Sequence, residues 1–230
     1  MSPAVSRGTW VKLGVAAVIV AGAVTAVMLA TGGDDSPAPT PTPTFVTGPG
    51  LDSGGINLAT LLTNARNHTF HAHYTVRGNP KLLGGTLELE WWNTPGHSRI
   101  DTTRTTGGGD VVKTASIIDG DTGIGCEKDG AAAWTCHPVE VTAPGDPSGM
   151  ISTLKGQLSG RTVAEHAGKV TGISARCFHV GGGAGDPLDV CTNSDGVMLR
   201  NATADVAYQI TSLDDNVPDS VFDPPATVSK

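Results

Sequence analysis

Charge is scarce in this sequence, at 16% of residues, and aromatics are scarcer, at 4%. The cations are too few to balance the acids, and the net charge of −7 excludes the basic surface that nucleic acid requires. The same deficit argues against capture by anionic lipid headgroups. Any membrane association should therefore come from an anchor, and any lipid recognition from apolar surface. No G-x-S-x-G elbow, Walker loop or dinucleotide loop is present, so a hydrolase has no support and enzymatic activity is not expected. Gly181-Gly-Gly-Ala-Gly185 reads as a flexible hairpin loop, because no helix follows it to cradle a phosphate. No C-x-x-C spacing supports a zinc site, and no cofactor is implied. Asp119-Gly-Asp121 opens like a calcium loop, but Gly123 and Gly130 stand where oxygen ligands belong, so a turn is expected.

What is present begins with an apolar run. Residues 13–31, LGVAAVIVAGAVTAVMLAT, carry no charge and are long enough to cross about 30 Å of hydrocarbon. Arg7 and Lys12 precede the run, and Asp34 and Asp35 follow it. The excess of positive charge before it predicts residues 1–12 in the cytoplasm and the remainder outside. Trp10 suits the headgroup level. A cleavable signal peptide is the rival reading, although the run is long for one and no clean A-x-A site follows. No cysteine stands near its end, so a lipid-modified N-terminus is not expected. Residues 32–54 are rich in Pro and Thr and read as an extended, semi-rigid extracytoplasmic linker. Residues 55–230 then form one domain.

Few good helix formers and abundant Gly (31) and Pro (15) favour a mainly β domain. Asn57 is a plausible helix cap, and Leu58, Leu61, Leu62 and Ala65 share one face of a helix running to about Asn67. A second helix is expected over residues 148–158, with Met150, Ile151, Leu154 and Leu158 on one face. Two-residue alternation predicts strands at 70–76, 86–92, 98–105, 111–118, 122–127 and 132–137. It predicts four more at 171–180, 188–192, 196–203 and 204–212. Ser194-Asp195-Gly196 is a hairpin-turn signal. Short hairpins dominate, so the sheet should be antiparallel.

The four cysteines are Cys126, Cys136, Cys177 and Cys191. An even number in an extracytoplasmic domain suggests two disulfides. Each sequential pair brackets a hairpin-like loop, which favours 126–136 and 177–191 among the three connectivities open. His68, His71 and His73 form the one tempting metal cluster. No third ligand joins the two strand histidines, so a solvated polar face is expected and no metal. Asn67-His-Thr and Asn201-Ala-Thr match a glycosylation pattern that arises often by chance. Trp91 and Trp92 are adjacent on a strand and must point to opposite faces. One enters the core, and the other lies under a helix, in a groove or in solvent. An open sheet covered by helices leaves room for an apolar cavity, a common type of small-molecule site.

The segments LLTNARNHTFHAHYTVRG, GTLELEWWNTPGHSRID, IIDG, ARCFHV, VCTNSDGVMLR and VPDSVFDPPA resemble actinobacterial proteins of the lipoprotein-localisation superfamily. Its members include LolA-like carriers, LppX/LprG lipoproteins and RseB-type sensors. The likeness covers residues 56–226 and rests on the order of elements. It implies an α+β, mainly β fold: a strongly curved antiparallel half-barrel whose concave face is covered by helices around an apolar cavity. It implies a ligand of acyl chains, from a lipid, lipoprotein or glycolipid. The chain departs from the LprG-type pattern in lacking a lipobox cysteine and in carrying four cysteines. A fixed anchor fits a tethered binder, handover station or sensor better than a diffusing shuttle. The alternatives are an RseB-like regulatory domain contacting an envelope protein partner, and a structural envelope protein without ligand. The cavity residues expected are Leu58, Leu61, Leu62, Trp91, Ile151 and Leu154.

Overall fold

The computed structural model describes residues 58, 60–79, 83–141, 161–182 and 186–229. The expected anchor (13–31), the linker (32–54), the second helix and its Ile151 and Leu154 lie outside them. Among the described residues, no helix is long and apolar enough to cross a membrane.

Among the described residues, eleven strands make one antiparallel sheet. In chain order they are β1 (Phe70–Gly78), β2 (Gly85–Thr94), β3 (His97–Thr106), β4 (Val111–Asp119), β5 (Thr122–Asp129), β6 (Thr135–Val139), β7 (Thr162–Val170), β8 (Ile173–Gly181), β9 (Leu188–Thr192), β10 (Met198–Ala202) and β11 (Val206–Asp214). The spatial order is β6-β5-β4-β3-β2-β1-β11-β10-β9-β8-β7. Two meanders, β1–β6 and β7–β11, are thus joined at a seam where the first strand pairs with the last. The sheet stays open, and its two edges, β6 and β7, are consecutive in the chain.

Ten of these strands fall where alternation predicts them, with ends moved by a few residues. The expected start at 171 moves to Ile173 because Thr171 and Gly172 form the turn between β7 and β8. Both have positive φ, 49° and 86°, as a two-residue hairpin turn with the twist of its strands requires. Strand β7 itself, TVAEHAGKV, is not legible as a strand. It is an edge with both faces largely wet, so no apolar residue is required at every second position.

In β1, Phe70, Ala72, Tyr74 and Val76 are buried and the residues between them are not. The register carries that face across the sheet. Ala72 stands opposite Trp91, Trp91 opposite Ile100, and Tyr74 opposite Ile210. This inner face holds the main apolar cluster. Residues 58 and 60–65 are helical and form α1, whose Leu58, Leu61, Leu62 and Ala65 are all buried in that cluster. Two devices fasten α1 to the sheet. Asn93 Nδ2 donates to the carbonyls of His68 at 2.7 Å and Arg66 at 3.2 Å, occupying carbonyls that a helix leaves unpaired at its C-terminal end. The β9–β10 turn also lies against the helix backbone. A Cβ on Gly196 would strike the Leu61 carbonyl, and Gly196 has φ +85°. The Asn193 side chain holds that turn by accepting from the amides of Asp195 at 3.1 Å and Val197 at 2.8 Å. This is the turn that Ser194-Asp195-Gly196 signals.

The outer face has a smaller core. Cys126 and Cys136 stand directly opposite each other on β5 and β6 and form a disulfide. Around it pack Ala115, Ile124, Trp134, Ala226 and Val228. The last two residues belong to the chain after β11, which includes a 3-10 turn at Asp219–Phe222. Cys177 and Cys191 are likewise opposite each other, on β8 and β9, and form the second disulfide. Both pairings are the sequential ones.

Candidate binding face

The inner face is not uniform. Under α1 and along β1, β8, β9 and β11 it carries bulky side chains, including Tyr74, Phe178, Leu188, Val190 and Ile210, all 2% exposed or less. Toward β6 the same face mixes Ser, Thr and Gly with Ile100, Ile118 and His137. The register runs Trp91, Ile100, Ser116, Gly125, His137 along one row. The neighbouring row carries Thr102 and Thr114, whose hydroxyls share a hydrogen bond of 2.6 Å. Ile100, Thr114, Ser116, Ile118 and His137 are half-buried.

Trp91 sits where these two zones meet. Its ring packs edge-on to Phe70 with centroids 5.2 Å apart, and its Nε1 donates to Ser98 Oγ at 2.9 Å. Leu58, Leu61 and Leu62 share its cluster, so four of the six expected cavity residues come together. Ile151 and Leu154 lie outside the described residues.

Sequence reasoning missed the polar atoms of this face. Tyr74 is fully buried, and its hydroxyl donates to the Met198 carbonyl at 2.8 Å. Burial raises its pKa, since the phenolate loses hydration. Tyr208 is 7% exposed, and burial pushes its pKa up to about 12. Among the described residues its hydroxyl has no hydrogen-bond partner, and neither does that of Thr192. The register places both on the inner face, Tyr208 opposite Val76 and Thr192 two residues beyond Val190. Each such buried, unpaired hydroxyl costs about 1–3 kcal/mol until something satisfies it. Alternation in β11 marks Tyr208 as inward-facing. Nothing in the sequence tells that its oxygen lacks a partner.

The outer face resolves the adjacent tryptophans. Trp92 is half-buried on that face. Its ring stacks on His71 at 4.9 Å and 5°, and the Arg99 guanidinium lies on it at 5.8 Å. His71 lies 3.7 Å from Glu90 and 3.5 Å from Asp214, while His73 Nδ1 pairs with the Thr211 hydroxyl at 2.8 Å. Among the described residues, no three His, Cys, Asp or Glu side chains are grouped to hold a metal ion. Asp119-Gly120-Asp121 is the hairpin turn between β4 and β5.

No family model matches the chain, and no curated protein matches its sequence. Among solved structures it is similar to MucB in complex with MucA(peri), at 14% identity and TM-score 0.41, over 75% of this chain and 59% of that one. It is also similar to LprF from Mycobacterium bovis, at 13% identity and TM-score 0.40, over 76% of this chain and 99% of LprF. A third is PNGF-II, at 9% identity and TM-score 0.34, over 70% and 31%. The chain thus spans about three fifths of MucB. At these identities and scores, the likenesses say nothing of what is bound.

Proposed function

We propose that this chain is a membrane-tethered, extracytoplasmic binding protein for a hydrophobic ligand with a polar end, such as a lipid or the acyl part of a lipoprotein or glycolipid. The observation that carries the reading is the inner face itself. An apolar surface there includes two buried hydroxyls, of Tyr208 and Thr192, that have no hydrogen-bond partner among the described residues. A ligand that fills apolar space and brings a hydrogen-bonding group relieves both deficits at once. On the same inner face Ile100 and Ile118 are only half-buried, so apolar surface extends along it beyond Trp91. The uncharged run 13–31 supports the tether, and two disulfides are in keeping with an oxidising compartment outside the membrane.

The test uses the full chain in native membranes with a photoactivatable fatty acid, followed by peptide mapping of the crosslinks. Adducts are expected on peptides of β2, β3 and β4 and of β9 and β11, and free fatty acid in excess should compete them away. Adducts confined to residues 13–31 would defeat the binding function while leaving the anchor in place.

A further inference from the structure

The two edges of the sheet are treated differently. At β6 the edge is capped by the chain's own C-terminal segment. The Cys136 carbonyl accepts from the Ser229 amide at 3.0 Å and from its hydroxyl at 3.1 Å, and Cys136 pairs with Val228 in a parallel bridge. At β7 no strand lies beyond, among the described residues. That edge is nine residues long, holds no proline, and pairs with β8 without a bulge. Thr162, Glu165, His166, Ala167 and Lys169 are exposed along it.

The outward backbone groups of β7 follow from the neighbouring disulfide. Cys177 and Cys191 have Cα atoms 4.0 Å apart, the close spacing of a pair without mutual backbone bonds. The Cys177 amide and carbonyl therefore aim at β7, where His166 stands opposite. His166 is thus occupied with β8. The intervening residues Val163, Glu165, Ala167 and Lys169 turn their amides and carbonyls to the free side. An uninterrupted row of this kind is a template for another strand.

We propose that two copies of this chain join through β7, antiparallel and edge to edge, about a two-fold axis at Ala167. The charges choose this register. With the axis at Ala167, Glu165 stands opposite Lys169 of the other copy, and the symmetry repeats the pair. Moving the axis to Glu165 or Lys169 sets like charges opposite each other, which sheets disfavour. Moving it to His166 sets Glu165 against Ala167. The Ala167 register also places His166 opposite Gly168, which brings no side chain against the ring. Glu165 is already held through Oε1 by Arg176 at 2.7 Å, so its carboxylate is oriented before the second copy arrives. The proposal is independent of what the inner face binds.

The test is sedimentation of the full chain in detergent, with the two charge variants studied alone and mixed. Wild type is expected to be dimeric. Lys169→Glu and Glu165→Lys each set like charges opposite each other twice, and each should weaken association at least tenfold. An equimolar mixture of the two restores both opposite pairs and should dimerise again. Circular dichroism of each variant checks that the fold survives. A monomeric wild type, or single variants as dimeric as wild type, overturns the edge pairing. A mixture that stays monomeric while each variant is folded overturns the Ala167 register.

Discussion

Arg99 binds Val221 across the outer face: its Nη1 donates to the Val221 carbonyl at 2.6 Å, while Nε and Nη2 hold both oxygens of Asp101 at 2.7 and 2.9 Å. One planar fork thus fastens the segment after β11 to the sheet and covers Trp92 at the same time. Arg99→Ala is expected to destabilise the fold by about 1–3 kcal/mol and to speed proteolysis around residues 219–223. Arg99→Lys keeps the charge without the fork or the stacking plane, so it should recover less than half of the loss in a denaturant titration.

The two inner tyrosines should respond oppositely to loss of their hydroxyls. Tyr74→Phe leaves the Met198 carbonyl without its donor and should cost about 1 kcal/mol. Tyr208→Phe removes an oxygen with no hydrogen-bond partner among the described residues and should be neutral or stabilising by up to about 1 kcal/mol. If the ligand uses that hydroxyl, Tyr208→Phe also lowers fatty-acid crosslinking in a protein of undiminished stability.

Alkaline unfolding follows from the same pair. Burial raises the Tyr208 pKa from 10.0 to about 12, so the folded state prefers the protonated phenol. That contribution is complete below about pH 10, the unfolded value, and is lost as pH climbs from there through about 12. Its size at the upper end is on the order of 2 kcal/mol. Tyr74 shifts in the same direction. Denaturant midpoints measured between pH 9 and pH 12 should fall, and Tyr208→Phe should flatten part of the fall. An unchanged slope in that variant would show that Tyr208 is not the titrating group.

Gly196→Ala should be among the more damaging single-methyl additions. The new Cβ meets the Leu61 backbone carbonyl, which cannot yield as a flexible side chain does, and the positive φ adds strain of about 1 kcal/mol. We expect a loss of at least 2 kcal/mol by chemical denaturation. Amide exchange should accelerate in 60–65, because α1 loses its seat against the turn.

Thr171 offers the opposite opportunity. It is the one non-glycine residue with positive φ among the described residues, and β-branching makes that conformation costly. Thr171→Asn or Thr171→Gly keeps the turn with less strain and should raise stability by about 0.5–1 kcal/mol. The readout is a higher thermal midpoint with unchanged near-UV circular dichroism.

Alternation made most of the sheet legible. A buried face imposes an apolar residue at every second position, and β1, β2 and β11 state that pattern plainly. Strand β7 escapes because an edge with wet faces imposes nothing of the kind. The disulfides were legible because each pair brackets a short hairpin, which brings its ends together whatever the rest of the chain does. Leu58, Leu61, Leu62 and Trp91 could be placed inside from their spacing. The unpaired hydroxyls of Tyr208 and Thr192 could not, since a missing partner depends on residues far away in sequence. Trp92 was bounded to the opposite side from Trp91, but its stacking between His71 and Arg99 needed the register of three strands.

The seam between β1 and β11 sets the order in which the domain assembles. Every other strand pairing in either meander joins chain neighbours, whereas His73 finds Ser212 only after a loop of well over a hundred residues has closed. Hairpins close within microseconds, and distant contacts bear a larger entropic cost before they return anything. Each half can therefore zip up early, and union of the halves is the slow event. Until it happens, the inner sides of both β1 and β11 are bare, and aggregation competes with folding at that moment.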